Sequence, residues 1–175
     1  IVCSDKLAER EGTTYIYRDD VICEISRCSS VFNGNPSTKM TMYGVTGTNG
    51  KSTTTFIIKD LHEKACGKGC GYMGTIAVRY GDVDEKPSLT TPYAIEINDY
   101  LSKMEKAGMK SVSMEVSSHG LALRRTEGLD FDVAIFTNFS WDHLDFHKTM
   151  EAYFEAKKSL FTGLKPEATA ILNLD

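Results

Sequence analysis

The feature that most constrains this 175-residue sequence is a glycine-rich segment, GVTGTNGKS at residues 44–52, lying between a strand-like and a helix-like stretch. In that context, backbone N–H groups and the helix dipole hold phosphate oxygens. Lys51 would meet the terminal phosphates, and Ser52 would offer its hydroxyl to Mg²⁺. The segment therefore predicts a phosphate-binding loop.

This loop departs from the common G-x-x-x-x-G-K-[ST] pattern, because Val45 stands where the first glycine is expected. If Gly47 supplies the special backbone angle, Val45 is simply the end of the strand. The alternative is a glycine-rich turn followed by a surface lysine that binds nothing.

From Thr41 to the end of the chain, apolar segments with a strand pattern alternate with segments that have a helical pattern. Period-2 and buried-strand patterns predict strands, and 3.6-residue periodicity predicts helices. The predicted strands are 41–47, 70–80, 110–116, 131–139 and 168–174, the predicted helices are 51–65, 93–108 and 149–161, and residues 81–87 are a predicted turn. In the first helix Ile57, Ile58, Leu61 and Ala65 lie at helical spacing. The pattern predicts an α/β fold with a mostly parallel sheet flanked by helices.

Composition narrows the possible partners. The net charge of -4 disfavours nucleic acid as a main partner. No apolar run approaches the ~20 residues that span a bilayer, so no membrane insertion is expected and the cytoplasm is the default location. Five scattered cysteines do not form a disulfide framework and are expected to be reduced.

Two polar segments follow predicted strands. Glu115, in MEVSSHG, ends one strand, where ligands collect in open α/β sheets. It is a candidate metal ligand, or else a solvated carboxylate. The segment TNFSWDHLDFH follows the next strand and contains Asn138, Asp142, His143, Asp145 and His147. One histidine on a metal beside the nucleotide is favoured. The alternatives are a zinc pair of His143 with His147 and a polar surface loop.

The last predicted helix carries a lysine on its apolar face. Met150, Tyr153, Phe154, Leu160 and Phe161 share that face at 100° per residue; Lys157 lies in its middle and Lys158 at its edge. Burying an ammonium is costly, so Lys157 either extends its charge past the apolar face or points inward for pairing or chemical modification.

Several of these motifs occur together in one known family. GVTGTNGKS, TTP at 90–92, MEVSSHGL, TNFSWDHLDFHKTMEAYFEAKKSLF and NLD resemble the central ATPase domain of the Mur ligases, and most of all its tripeptide-synthetase branch. The resemblance runs from about Ser26 to the end. It implies a P-loop NTPase-like domain of a peptidoglycan-precursor ligase. Such an enzyme uses ATP and Mg²⁺ to add lysine or meso-diaminopimelate to UDP-MurNAc-L-Ala-D-Glu through an acyl phosphate.

The resemblance also implies roles for individual residues. It implies an ATP-binding set at Thr46, Gly47, Thr48, Asn49, Gly50, Lys51, Ser52 and Asn138. It implies Mg²⁺ ligands at Ser52, Glu115 and His143. It implies substrate contacts at Thr90, Thr91, Ser117 and Arg125. The catalytic set would be Lys51, Glu115, His143 and Lys157, with Lys157 carbamylated to N6-carboxylysine.

The chain also departs from the family pattern. Trp141 stands where the family commonly has arginine, which puts a charged contact there in doubt, whereas Ser52 replaces threonine and keeps the hydroxyl. Residues 1–40 are expected to be a remnant of the N-terminal UDP-binding domain or a linker, and 41–175 the central domain. The family's C-terminal domain, which selects the diamino acid, has no counterpart in this sequence. The isolated chain is therefore expected to be inactive. Another P-loop enzyme and a non-catalytic nucleotide-binding module are the alternatives.

Overall fold

The structure is a computed structural model that describes residues 1–8, 10–67 and 69–174. Its strands come in chain order. They are β1 (Val2–Cys3), β2 (Ile16–Tyr17), β3 (Thr41–Thr46), β4 (Cys70–Met73), β5 (Val78–Tyr80), β6 (Val83–Glu85), β7 (Ser111–Glu115), β8 (Val133–Phe136) and β9 (Thr169–Leu172). β1 and β2 form a small parallel pair. The other seven form one sheet in the order β6-β5-β4-β7-β3-β8-β9.

The helices connect these strands. They are α1 (Val21–Phe32), α2 (Lys51–Cys66), α3 (Ala94–Lys106), α4 (Ser118–Ala122), α5 (Leu144–His147) and α6 (Met150–Thr162), with a short 3-10 turn at Pro36–Thr38. From β4 to β9 in the sheet order every neighbouring pair is parallel, and the pairs β4–β5 and β5–β6 are antiparallel. This confirms the expected α/β class with a mostly parallel sheet flanked by helices. Among the described residues, no helix is both long and apolar enough to cross a bilayer.

The two faces of the sheet pack differently. On one face Met42, Val112 and Met114 join the main apolar core with Ile97 and Leu101 of α3. On the other face α2 approaches small polar residues, and the Ser113 hydroxyl donates to the Thr55 carbonyl at 2.9 Å. This close contact of small side chains explains how α2 packs with few large residues.

The apolar residues at helical spacing on α2 do not form its buried face. Ile57 and Leu61 are more than half exposed, and Thr55 is the buried residue of the helix. The sheet beneath α2 presents Ser111 and Ser113, so the helix turns its small polar side inward and its aliphatic residues outward. On α6, Phe154 is likewise exposed, whereas Tyr153 and Leu160 are buried as predicted.

Residues 70–87 also differ from the prediction. A hairpin splits the predicted strand 70–80 into β4 and β5, and Gly74 donates its N–H to the Ala77 carbonyl at 3.0 Å. Within the predicted turn 81–87, only the start is a turn, at Gly81 with φ of 52°. Val83–Glu85 then forms the edge strand β6. Short connections let the chain reverse direction twice, between β4 and β5 and between β5 and β6, where the apolar pattern of residues 70–80 had suggested one long strand.

The first 40 residues contain more structure than their weak periodicity indicated. α1 begins at an N-cap, Asp20, whose side chain accepts a hydrogen bond from the Cys23 N–H at 3.0 Å. The helix packs against α3. Several large apolar side chains on this side stay exposed, including Ile22, Phe32 and Ile95.

Candidate functional site

The carboxyl ends of three neighbouring strands lie in register at one edge of the sheet. Val45 of β3 pairs with Glu115 of β7 and with Ile135 of β8. The loops that follow these strands therefore meet, as expected for a ligand site in an open α/β sheet. They are the predicted phosphate loop, the start of α4 and the 137–143 segment.

The phosphate loop has the backbone that its glycines require. Val45 is fully buried inside β3, which confirms that the mismatch to the common pattern is the end of the strand. Gly47 has φ of 144° and Gly50 has φ of 83°, both accessible mainly to glycine. Gly50 starts α2 without a side-chain cap, so the first N–H groups of the helix stay free of side-chain acceptors.

Gly47→Ala should be far more damaging than Gly50→Ala. A Cβ at Gly47 would lie 1.9 Å from the Thr137 hydroxyl, which itself donates to the Asn49 carbonyl at 2.7 Å. A Cβ at Gly50 meets nothing within 4 Å and suffers only from the positive φ. We expect losses in the free energy of unfolding of about 3 kcal/mol and about 1 kcal/mol respectively, measured by urea denaturation. Equal losses for the two variants would contradict the predicted clash.

Two lysines converge on one carbonyl of this loop. The Lys51 ammonium donates to the Gly47 carbonyl at 3.0 Å and to the Thr48 carbonyl at 2.8 Å. The Lys157 ammonium reaches the same Gly47 oxygen at 2.7 Å from helix α6. The structure thus places Lys157 inward, as one of the two sequence hypotheses required, and only 1% of the residue is exposed.

Burial and proximity change the acid–base chemistry of both lysines. Burial lowers the pKa of Lys51. The nearby carboxylates of Glu115 and Asp142 have a smaller, opposite effect, because they favour its charged form. Burial, followed by the charge of Lys51, lowers the pKa of Lys157 to about 7. Near neutral pH a large share of Lys157 is therefore the free amine, the form that acts as a nucleophile.

This pKa makes a pH prediction for stability. Between pH 7 and 10.5 the unfolded chain protonates Lys157 and the folded chain does not, so stability rises with pH across this window. Relative to Lys157→Met, the wild type should gain roughly 3 kcal/mol of unfolding free energy between pH 7 and pH 10. His119 and His147 have lowered pKa values and stay neutral over this range. Urea denaturation in CO₂-free buffer measures the difference, and parallel pH curves for the two proteins would contradict it.

Glu115 is buried and receives four hydrogen bonds. Ser52 donates its hydroxyl at 2.9 Å, Tyr72 its hydroxyl at 2.8 Å, and Thr75 both its N–H at 2.9 Å and its hydroxyl at 3.1 Å. The structure therefore brings Ser52 and Glu115 together, and it excludes the solvated-carboxylate alternative, because Glu115 is only 1% exposed.

The segment after β8 holds the phosphate loop from the side. The Asn138 amide clamps Asn49, accepting from its N–H at 2.9 Å and donating to its carbonyl at 3.0 Å. Thr48 donates its N–H to the Asn138 carbonyl at 3.0 Å. Asn138 thus contacts the loop backbone, and the segment is part of the site rather than a detached surface loop.

Three histidines lie together beside this segment. The rings of His143 and His147 lie 4.9 Å and 5.4 Å from that of His119, between centroids. His147 shares a hydrogen bond of 2.9 Å with the buried Ser118 hydroxyl, which occupies its Nε2 atom. Across the described ranges, no group of three His, Cys, Asp or Glu side chains is arranged to hold a metal ion. The geometry gives no support to the zinc alternative.

A cavity of about 290 Å³ joins the phosphate loop to the predicted substrate residues. It is lined by Lys51, Thr75, Leu89, Thr90, Thr91, Ser117, Ser118, His119, Arg125, His143 and Lys157. Arg125 donates to the Thr91 carbonyl at 3.0 Å and stacks over the Tyr93 ring at 4.5 Å. Its Nε atom is buried and has no hydrogen-bond partner among the described residues.

Thr91 differs from the other predicted substrate contacts. It is fully buried, its hydroxyl donates to the Glu115 carbonyl at 2.9 Å, and it accepts from the Ser117 N–H at 2.9 Å. The Thr91 hydroxyl therefore uses both its donor and its acceptor capacity in hydrogen bonds to the main chain. Thr91 therefore fixes the Ser117 loop, while Thr90 bonds the Thr75 hydroxyl at 3.0 Å on the cavity side.

Sequence reasoning missed four residues of this site. Tyr72, Thr75, Ser118 and Tyr153 bond to Glu115, His147 or Thr48. Tyr153 had a usable signal, since it lies four residues before Lys157 on the same helix face. Tyr72 and Thr75 had none, because they reach Glu115 from the neighbouring strand β4 and from the connection that follows it. Trp141 is largely exposed.

A sequence model described as the Mur ligase middle domain matches residues 45–175. The chain belongs to the Mur ligase family. Two curated relatives carry the name UDP-N-acetylmuramoyl-L-alanyl-D-glutamate–2,6-diaminopimelate ligase. The one from Geobacter metallireducens is 40% identical over all of this chain and 35% of its own length. The one from Gloeobacter violaceus is 42% identical over all of this chain and 36% of its own.

Solved structures agree with this Mur ligase assignment. A structure of a ligase with the same name has a TM-score of 0.76 and 32% identity, covering 95% of this chain and 34% of that one. The MurF ligase from Thermotoga maritima in complex with ADP has a TM-score of 0.64 at 19% identity, covering 99% and 36%, and shows the shared fold. This Mur ligase chain spans about a third of the length of the relatives that it matches.

Proposed function

We propose that this chain is the ATP-binding middle domain of a ligase that joins 2,6-diaminopimelate to UDP-MurNAc-L-Ala-D-Glu. Residues 41–175 form that domain, and residues 1–40 belong to a linker or to the end of a UDP-binding domain. The names of the relatives support diaminopimelate over lysine. One observation carries the proposal: Lys51, Lys157, Ser117 and Arg125 line a single cavity.

ATP would bind at the phosphate loop. The uncapped start of α2 offers N–H groups to the phosphates, and Lys51 would exchange its loop carbonyls for phosphate oxygens. Thr46 to Ser52 would surround the phosphates, and Asn138 would keep the loop in shape. A family structure that contains ADP supports this placement. Because ATP is a cytoplasmic substrate, we propose that the ligase acts there.

The residues present fit Mg²⁺. Mg²⁺ prefers hard oxygen ligands and is usually bound through one or two carboxylates together with phosphates and water. Ser52 and Glu115 supply a hydroxyl and a carboxylate oxygen that lie 2.9 Å apart. We propose these two as ligands, and His143, which lines the cavity beside Lys51, as the third. The bound ion would neutralise phosphate charge.

Lys157 is suited to carbamylation. Its amine is buried next to the Lys51 ammonium, and its pKa of about 7 leaves it largely nucleophilic near neutral pH. The amine nitrogen attacks the carbon of CO₂, a C–N bond forms as one C–O π bond opens, and the nitrogen releases a proton to solvent. The carbamate carries one negative charge, and the positively charged Lys51 favours it.

The proposed ligase reaction uses both sides of the cavity, with Lys51 of the phosphate loop on one side and the predicted substrate residues on the other. A carboxylate oxygen of the substrate attacks the γ-phosphorus of ATP, and the bond to the bridging oxygen breaks to release ADP. The amine of the diamino acid next attacks the acyl carbon, a C–N bond forms as the C–O bond to phosphate breaks, and the nitrogen releases a proton to solvent. Lys51 stabilises charge on the transferred group. The unpaired Arg125 Nε and the Thr90 and Ser117 hydroxyls would hold the dipeptide end of the substrate.

The test is amide formation by the complete ligase that contains this chain. ADP release should require both UDP-MurNAc-L-Ala-D-Glu and meso-diaminopimelate, and the tripeptide product should gain the mass of the added amino acid less water. ATP hydrolysis without either substrate would favour another P-loop enzyme. Nucleotide binding without any turnover would favour a non-catalytic module.

A further inference from the structure

Tyr153 lies between the two parts of the proposed site. It precedes Lys157 by one helical turn on α6, so both side chains occupy the same face. The Lys157 ammonium lies 4.4 Å from the centre of the Tyr153 ring, within cation–π range. Both residues are buried, Tyr153 fully.

The hydroxyl of Tyr153 reaches the phosphate loop. It lies 3.2 Å from the Thr48 hydroxyl, which also accepts from the Ser140 N–H at 3.0 Å and lies 3.2 Å from the Ser140 carbonyl. Every proton finds an acceptor when Tyr153 donates to Thr48 and Thr48 donates to the Ser140 carbonyl. Burial raises the pKa of Tyr153, which keeps the hydroxyl protonated for this task.

We propose that Tyr153 is a positioning residue whose hydroxyl fixes Thr48 of the phosphate loop while its ring supports the Lys157 side chain. The same ring contacts Phe139 at 5.2 Å and His147 at 5.1 Å between centroids. One side chain thereby links α6, the phosphate loop and the segment after β8. The inference rests on the proposed function for the roles of the phosphate loop and Lys157.

The test is a double-mutant cycle on MgATP binding by the complete ligase, measured by calorimetry. Tyr153→Phe removes only the hydroxyl and should raise the Kd about fivefold, the typical effect of one hydrogen bond. Thr48→Val should also raise the Kd. In the Thr48→Val background the Phe substitution should change the Kd less than about twofold, because its partner is already gone. Independent, multiplying effects would overturn the link.

Tyr100→Phe is the matched control, since Tyr100 is a buried tyrosine of α3 outside the cavity. Its Kd should equal that of the wild type. A second readout is the ¹³C carbamate signal of Lys157 in labelled bicarbonate as a function of pH. Tyr153→Phe should leave its midpoint unchanged, because the ring is kept. If the midpoint of the carbamate signal moves toward higher pH in Tyr153→Phe, water has entered a loosened core around Lys157. The role of Tyr153 would then be merely structural, and the proposal would be overturned.

These outcomes separate the two proposals. If the wild-type ligase binds MgATP but forms no amide, the ligase function fails and the binding cycle still decides the role of Tyr153. If it forms the amide while Tyr153→Phe binds MgATP like the wild type, only the positioning role fails. Absence of MgATP binding by the wild type would overturn both.

Discussion

Replacing Lys51 with methionine should reduce ATP-dependent amide formation by the complete ligase roughly 1,000-fold. The Lys51 ammonium lies at the start of α2, where it now contacts the Gly47 and Thr48 carbonyls and where the phosphates would arrive. Methionine keeps most of the length of the side chain and removes the positive charge that would stabilise the growing negative charge on the transferred phosphoryl group. Steady-state ADP release in the presence of both substrates measures the effect.

Lys64→Met is the matched control for this substitution. Lys64 is on the same helix, in its last turn, and is exposed. It should keep turnover within about twofold of the wild type, as is usual for surface substitutions. Turnover by Lys51→Met within tenfold of the wild type would show that Lys51 is not the phosphate-contacting residue.

Lys157→Met should lower turnover about 100-fold or more, and Lys158→Met should leave it nearly unchanged. The two lysines are neighbours on α6, but Lys157 is buried on Gly47 whereas Lys158 is exposed and pairs with Glu155 at 3.0 Å. In bicarbonate labelled with ¹³C, the wild type should give a carbamate signal that disappears in Lys157→Met and persists in Lys158→Met. One CO₂ adds about 44 Da to the modified lysine.

The two readouts of this experiment separate charge from modification. Low turnover of Lys157→Met together with no carbamate signal in the wild type would mean that Lys157 acts as an amine or ammonium. Wild-type turnover by Lys157→Met would remove the residue from the catalytic set. The stability change with pH, described above, is independent of either outcome because it is measured without CO₂.

The order of strands and helices from Thr41 onward was predictable, because each element carries its own periodicity. α2 and α6 begin within one residue of their predicted start and end within one of their predicted end. The predictions were incomplete where contacts with neighbouring elements determine the structure. β4 and β5 were predicted as one strand, since a two-strand hairpin and a single strand share the same period. The outward position of Ile57 and Leu61 was not predictable, because the sequence does not reveal that the sheet beneath α2 presents serines.

The candidate site was predictable only as a set of separate segments. Position identified three of these segments: the loop at 44–52 and the segment 137–147 follow or end a predicted strand, and Glu115 lies at the end of one. Lys157 was recognisable by its place on an apolar helix face. Their contacts were not. Thr91 looked like its neighbour Thr90, yet its hydroxyl is used by the main chain of the Ser117 loop.

The sequence by itself determined the family, the glycine-rich loop between a strand and a helix, and the place of Lys157 on an apolar helix face, because these depend on residue types at fixed short spacings. Only the tertiary structure decided that Lys51 and Lys157 share the carbonyl of Gly47 and that Tyr153 lies between Lys157 and Thr48. Lys157 is 110 residues from Gly47 in the chain. The depressed pKa of Lys157 arises from burial and from the nearby charge of Lys51, and both exist only once the folded chain has brought these segments together.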